Sequence, residues 1–241
     1  MVAALAVREP THPVETWTRR EILARYRHLR AITNRHHSEI LDLLSANVLL
    51  GHARRLGLAV GRTVVLDDMD EIMYSYDLAI HTAPPDRSRA IDRYARSARF
   101  APSSDEALVL RAMRRAQFSI VQIERRHPTA GLVARDLFRK IPIWLMDEGL
   151  EISAADGMFI AMRLFTPASF SISAGVLVPF DPQLLEDVLL EAPNLGRKRM
   201  SELLDDRRFA ETLYRIALAD GVLEGIVYCD VGEAPERASK T

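Results

Sequence analysis

Ten arginines fall between residues 87 and 126, at positions 87, 89, 93, 96, 99, 111, 114, 115, 125 and 126. Four acids stand against them, Asp92, Asp105, Glu106 and Glu124, leaving a local excess of six positive charges. A guanidinium offers a fork of donors that matches phosphate and carboxylate, so this pattern points first to anion binding. Arg89, Arg93 and Arg96 follow i, i+4, i+7 spacing on the helix face away from Ile91 and Ala95, and Arg111, Arg114 and Arg115 share one side of the next helix. These six are the candidate partner- or anion-binding residues, which Arg19, Arg20, Arg27 and Arg30 could extend. The competing reading is a solvated face whose arginines pair with acids of the C-terminal segment.

Other chemistry is less well marked. Asp67, Asp68, Asp70 and Glu71 would suit a hard divalent cation, but the full EF-hand pattern is missing, and acids in a first helical turn also cap N–H groups. Among His28, His36, His37 and His52 no pair has the i, i+4 spacing of a metal-binding helix, so they read as exposed polar positions and a helix junction. Ser169, Ser171 and Ser173 alternate along one strand and read as its solvated side, with Phe170, Ile172 and Ala174 inside. No nucleophile elbow and no phosphate loop is present, and Cys229 has no histidine partner evident in the sequence. Trp144 reads as core or barrel rim, Trp17 as a staple on the first helix, and Arg135 and Asp136 as a polar pair at a strand edge. The sequence therefore names no catalytic residue, no metal ligand and no cofactor.

The elements that would position these residues follow from periodicity and punctuation. Thr18 with Glu21 has capping-box spacing and opens a helix whose stripe is Ile22, Tyr26, Leu29 and Thr33. The pattern weakens at Asn34 to His37, and a second helix is expected from about Ser38 to Leu56, with Gly57 as its C-cap. Gly61 to Leu66 is extended. Asp67 or Asp68 then caps a helix with Met69, Ile72, Tyr76, Ala79 and Ile80 on one face. Asp86 is expected to cap the next, with Ile91, Tyr94, Ala95 and Ala98 buried, and Ser103 with Glu106 to open another to about Ala116.

From Gln117 to Phe180 the character changes to five short extended runs: Phe118–Glu124, Leu132–Phe138, Ile141–Met146, Met158–Phe165 and Phe170–Val178. Turn residues separate them, which predicts a small barrel of SH3-like or OB-like size. Pro182 returns the chain to helix, first through Val188 and Leu189, then from about Met200 to Ala219. Val222 to Val231 is expected as a last strand and the tail from Gly232 as disordered.

With 241 residues, 48% of them hydrophobic, the chain can bury a core without staples. Its one cysteine excludes an internal disulfide framework and fits a reducing compartment. No apolar run approaches the ~20 residues of a membrane helix, and the start lacks the pattern of a secretory signal, so a cytoplasmic, membrane-free protein is expected. The net charge of −1 is uneven: residues 1–60 carry +4 and residues 181–241 carry −5. The two ends are thus expected to attract, within one chain or across a homodimer.

Leu49 to Leu66, Asp70 to Leu78, Gly131 to Leu137, Trp144 to Asp147 and Ala161 to Leu164 resemble segments of a group of uncharacterised bacterial proteins, over about residues 45–180. Some relatives of that type carry Cys-rich SEC-C zinc motifs. Nothing here matches such a motif, so the resemblance implies architecture and transfers neither a metal nor a catalytic residue.

The sequence thus predicts an α+β protein, predominantly helical, with an embedded five-stranded antiparallel barrel. A helical domain (1–116), the barrel (117–181), C-terminal helices (182–231) and a tail (232–241) are expected. The expected function is non-enzymatic: binding of a protein partner through the Arg-rich helices, the barrel, or both. Nucleic-acid association is the first alternative, disfavoured by the 7% aromatic content and pI of about 6.7. A metal-dependent hydrolase using Asp67, Asp70 and a histidine is the second.

Overall fold

The computed structural model describes residues 17–66 and 68–220. Helix α1 (Arg19–Asp42) starts at the expected capping box, with the Thr18 N–H donating to Glu21 at 2.8 Å. It does not weaken at Asn34 to His37. Ile32, Thr33, His36 and Ile40 carry the buried stripe onward, and the break comes at residues 43–45, before α2 (Ala46–Leu56). His36 is the reason: it is buried rather than exposed, with Nδ1 3.0 Å from the Tyr94 hydroxyl and Nε2 3.0 Å from the Glu106 carbonyl. Gly57 closes α2 at φ 84°, as its position predicts.

A short hairpin, β1 (Ala59–Val60) and β2 (Thr63–Val64), leads to a 3₁₀ turn at Met69–Glu71 and α3 (Ile72–His81). The buried residues of α3 are Tyr74, Ser75, Asp77, Leu78, Ala79, Ile80 and His81 rather than the expected single stripe. The helix is sandwiched: Tyr74 and Leu78 join one core and Ile80 another. Helix α4 (Ala90–Ser97) starts at Arg89, not at Asp86, so residues 82–89 form a loop. Helix α5 (Asp105–Arg114) is capped one residue later than expected, by Ser104.

The five expected strands are present as β3 (Gln117–Arg126), β4 (Leu132–Asp136), β5 (Pro142–Met146), β6 (Phe159–Phe165) and β7 (Ser171–Pro179). They close into a barrel of order β3-β4-β5-β7-β6. Four of the five pairings are antiparallel, but β5 and β7 run parallel, which corrects the all-antiparallel expectation. The crossover that makes them parallel holds helix α6 (Glu148–Ser153), which the sequence reading missed because it is six residues long and contains Gly149. Asp147 caps it, accepting from the Leu150 N–H at 3.0 Å. This order, with a helix between the third and fourth strands, is OB topology rather than SH3.

Alternation along the strands sorts the packing. Val121, Ile123, Leu132, Ala134, Ile160 and Met162 point inward, and Leu150 of α6 packs with them. The outer faces are buried as well. Phe118, Ile120, Ala161, Val176 and Val178 meet α2, α3, α7 (Pro182–Glu191) and α9 (Arg207–Ala219). Met146, Phe165, Phe170, Ile172 and Ala174 meet α1, α4 and α5. Strand β7 is therefore covered on both sides, and Ser171 and Ser173 are buried, not solvated; the Ser173 hydroxyl donates to Asp147 at 3.1 Å.

The first of these shells takes residues from all three of the expected domains, crossing the boundaries near 117 and 181. The expected helix from Met200 is split into α8 (Met200–Leu203) and α9, because Asp206 caps α9 by accepting from the Arg208 N–H at 3.0 Å. The expected irregular start, the strand at Val222 to Val231 and the tail from Gly232 lie outside the described residues.

Gly131 closes the β3–β4 turn at φ 78°. A Cβ there would collide with the Leu145 carbonyl and lie 2.6 Å from Met146 Sδ. Strain and overlap act together, so Gly131→Ala is expected to cost about 2–4 kcal/mol, read as a lowered urea midpoint at unchanged slope.

Candidate functional site

Asp77 and His81 lie one turn apart on α3, and Arg163 projects from the outer face of β6 between two apolar neighbours, Met162 and Leu164. Their elements pack together, so the charges must meet. Arg163 Nε and Nη2 donate to the two oxygens of Asp77 at 2.8 and 2.9 Å, and the Tyr214 hydroxyl of α9 adds a third bond at 3.0 Å. Burial pushes the Asp77 carboxyl up, but the charge and hydrogen bonds of Arg163 outweigh it and hold it below its ordinary value. Burial, then the charge of Asp77, pushes the Tyr214 hydroxyl well up.

His81 shares this buried region without joining the network. Neither ring nitrogen has a hydrogen-bond partner among the described residues, although the side chain is 4% exposed. Its ring meets His37 of α1 edge-on, centroids 6.0 Å apart. Burial and then the charge of Arg163 keep it neutral, well below the usual histidine range.

His81 and Arg163 line a cavity of about 420 Å³ between the 82–89 loop and the start of α9. Arg87, Arg89 and Arg207 complete its basic wall. The acids at its edge are already engaged: Asp206 with Lys198 and Arg208, and Asp205 with Arg139 at 2.8 Å. Arg87 and Arg207 are exposed and have no carboxylate partner among the described residues. A second recess of about 780 Å³ adjoins the first across Thr82, Ala83, Pro84, Arg87 and Arg207. His52 lines it, and burial followed by the charges of Arg55 and Arg207 lowers its pKa to about 4.

The six arginines singled out by spacing are divided by the fold. Arg89 donates to Asp92 at 2.7 Å and Arg114 to the same carboxylate at 3.1 Å, which clasps α4 to α5. Hydrogen bonds from Arg89 and Arg114 outweigh partial burial and depress the Asp92 pKa. Among the described residues, Arg93 and Arg111 donate only to the carbonyls of Ser88 and Pro102. Arg96 and Arg115 are exposed with no partner among the described residues. Arg93 also lines the second recess and Arg89 the first, so the Arg face and the cleft are contiguous.

Arg19, Arg27 and Arg30 of α1 do not extend this face. Arg19, Arg25 and Arg27 pair with Glu151, Asp105 and Glu148 at 2.5 to 2.7 Å, and Arg30 donates to the Ser173 carbonyl. Their partners are central acids, not C-terminal ones. Attraction between the ends of the chain is carried by Arg55 and Glu211, 2.9 Å apart.

Elsewhere, Asp68 caps the 3₁₀ turn by accepting from the Asp70 N–H at 2.9 Å, and Asp67 lies outside the described residues. Among the described residues no three His, Cys, Asp or Glu side chains are grouped to hold a metal, and no helix is long and apolar enough to cross a membrane. Arg135 pairs with Glu124 rather than with Asp136, which instead caps the β4–β5 turn and accepts from Arg139. Trp144 sits at the barrel rim, donating to the Ala130 carbonyl at 2.8 Å and stacked on His127 at 4.3 Å. Helix α1 lies over that end of the barrel, with Arg19 reaching the Thr129 carbonyl. Trp17 is 41% exposed.

A family model described as "Family of unknown function (DUF7986)" matches residues 20–224. The chain belongs to the DUF7986 family. No curated protein and no solved structure matches it. The matched span of this DUF7986 chain includes all the residues of the buried network, the cleft and the Arg face.

The sequence reading missed Asp77, His81, Arg163, Arg207 and Tyr214. A signal for part of this set was present: a lone Arg in the apolar strand Phe159–Phe165 needs a counter-charge, and Asp77 in an apolar helix is a matching one. Arg207 carried no such mark, since only the tertiary fold brings it beside Arg87.

Proposed function

We propose that this protein is a non-enzymatic binding protein that docks an acidic protein partner on the outer faces of α4 and α5. The observation that carries the reading is that Arg93, Arg96, Arg111 and Arg115 lie exposed with no carboxylate partner among the described residues, while Asp92 fixes the two helices side by side. Four unneutralised guanidinium groups on a rigid pair of helices favour an anionic partner, and their planar forks suit carboxylates. The barrel favours the reading less, because α1 covers its β3–β4 turn and Arg135 is already paired. The reading sets the protein in a bacterial cytoplasm, in line with the single cysteine and the resemblance across residues 45–180.

Nucleic acid is the alternative polyanion, and the low aromatic content weighs against it. Binding to immobilised poly-glutamate and to single-stranded RNA separates them. The full chain is expected to bind poly-glutamate at low salt, and the triple variant Arg96→Glu, Arg111→Glu, Arg115→Glu to lose at least roughly tenfold in affinity. Tighter binding to RNA would move the reading to the nucleic-acid alternative. Equal binding by the wild type and the triple variant would remove the docking face.

A further inference from the structure

The cleft between the 82–89 loop and α9 calls for a ligand of its own. Its cavity of about 420 Å³ is too small for a folded partner, and it holds two kinds of unmet demand. Arg87 and Arg207 bring two positive charges that no carboxylate among the described residues offsets, since Asp205 and Asp206 at the same wall are taken by Arg139, Lys198 and Arg208. His81, 4% exposed and lining the cavity, has two ring nitrogens without partners among the described residues. A buried imidazole in that state has a desolvation cost that a ligand can relieve.

We infer that this cleft is a binding site for a small phosphate monoester, with the phosphoryl group held by Arg87 and Arg207 and hydrogen-bonded by His81. Two unmatched guanidinium groups fit a dianion, whereas a monocarboxylate would leave one charge over. A neutral imidazole supplies one N–H to a phosphoryl oxygen without adding charge. The adjoining recess, walled in part by Val48, Gly51, Ala79, Ala83 and Ala90, takes the less polar body of the ester. This site adjoins the α4–α5 docking face through Arg89 and Arg93, but the two residues that hold the phosphoryl group, Arg87 and Arg207, do not belong to that face.

Calorimetric titration of the full chain in phosphate-free buffer tests the inference, with phenyl phosphate, inorganic phosphate and benzoate as probes. Phenyl phosphate is expected to bind at least roughly tenfold more tightly than benzoate. The Arg87→Ala, Arg207→Ala double variant is expected to lose roughly tenfold or more. Both side chains are exposed, so the variant should melt where the wild type does without ligand. The second variant, His81→Gln, should weaken phosphate binding in the same direction. Inorganic phosphate bound as tightly as the ester would assign the site to free phosphate, and weaker binding to the ester. The inference falls if neither phosphate binds, if benzoate equals phenyl phosphate, or if the double variant binds as the wild type does. It falls also if Arg96→Glu, Arg111→Glu, Arg115→Glu abolishes phosphate binding, since that would make the effect general surface pairing. Loss of poly-glutamate binding in that triple variant with phosphate binding intact leaves the two readings independent.

Discussion

Replacing Asp77 by alanine will cost about 3–5 kcal/mol of stability, the largest loss expected from any single charge removal here. The substitution strands Arg163, a buried cation, on the outer wall of the barrel with its bidentate partner gone. It also takes away the acceptor of the Tyr214 hydroxyl. Tyr214→Phe should lose about 1.5–3 kcal/mol, because it deletes one hydrogen bond to a charged group and leaves the ion pair whole. The informative comparison is the double variant Asp77→Leu, Arg163→Met. Exchanging both charges for apolar groups removes the desolvation cost along with the attraction, so the double variant should be more stable than Asp77→Ala alone. Urea titration of the three variants measures this, and a double variant at least as unstable as Asp77→Ala would show that packing, not the buried charge, sets the cost.

Acid will destabilise the fold well above the range in which its carboxylates titrate. Burial, then the charge of Arg30, holds His37 down to about 4, and His52 is at about 4 from burial and then Arg55. His81 lies well below its ordinary value because of burial first and then the charge of Arg163, with His37 and Arg89 acting in the same sense and Asp77 against them. In the unfolded chain each would titrate near ~6.5. Between these values the unfolded chain binds more protons than the folded one, so stability falls as pH falls from 6.5 toward 4. His37 and His52 together would remove on the order of 3 kcal/mol between about pH 6.5 and 5, and His81 acts in the same direction. The depressed Asp77 and Asp92 act in the same sense only below about pH 4, so the histidine window stands clear of them. Urea midpoints at pH 7 and pH 5 in phosphate-free buffer provide the measurement, and His81→Gln should lower the pH slope by about one histidine's share. A flat profile over that window would mean that the rings reach water in the folded state.

The two predictions turn on residues that the sequence displays unevenly. Five strands were readable because turn residues separate short β-rich runs, and the Thr18 capping box and Gly57 stop were local signals with local causes. The parallel β5–β7 pair was not readable, since strand direction is set by a crossover whose six-residue helix is too short to announce itself. His36 shows a different limit: a histidine among polar neighbours reads as surface until the Tyr94 hydroxyl and the Glu106 carbonyl arrive from other helices. The same holds at the candidate site. Spacing placed Arg89 and Arg114 on helical faces, but only the fold assigns both to one carboxylate and leaves Arg96 and Arg115 open. Arg87 and Arg207 are 120 positions apart, beyond the reach of any local pattern.

The chain's last described helix covers the outer wall of a barrel whose strands end some thirty residues earlier, at Pro179. During synthesis the ribosome therefore releases β3, β6 and β7 while Phe118, Ile120, Val176 and Val178 still lack the cover of Phe209, Leu213 and Tyr214. Growing from its N-terminus at about 5–20 residues per second, the nascent chain carries that incompletely covered apolar wall for a few seconds. Newly made copies thus keep part of that outer wall uncovered until α9 emerges and docks.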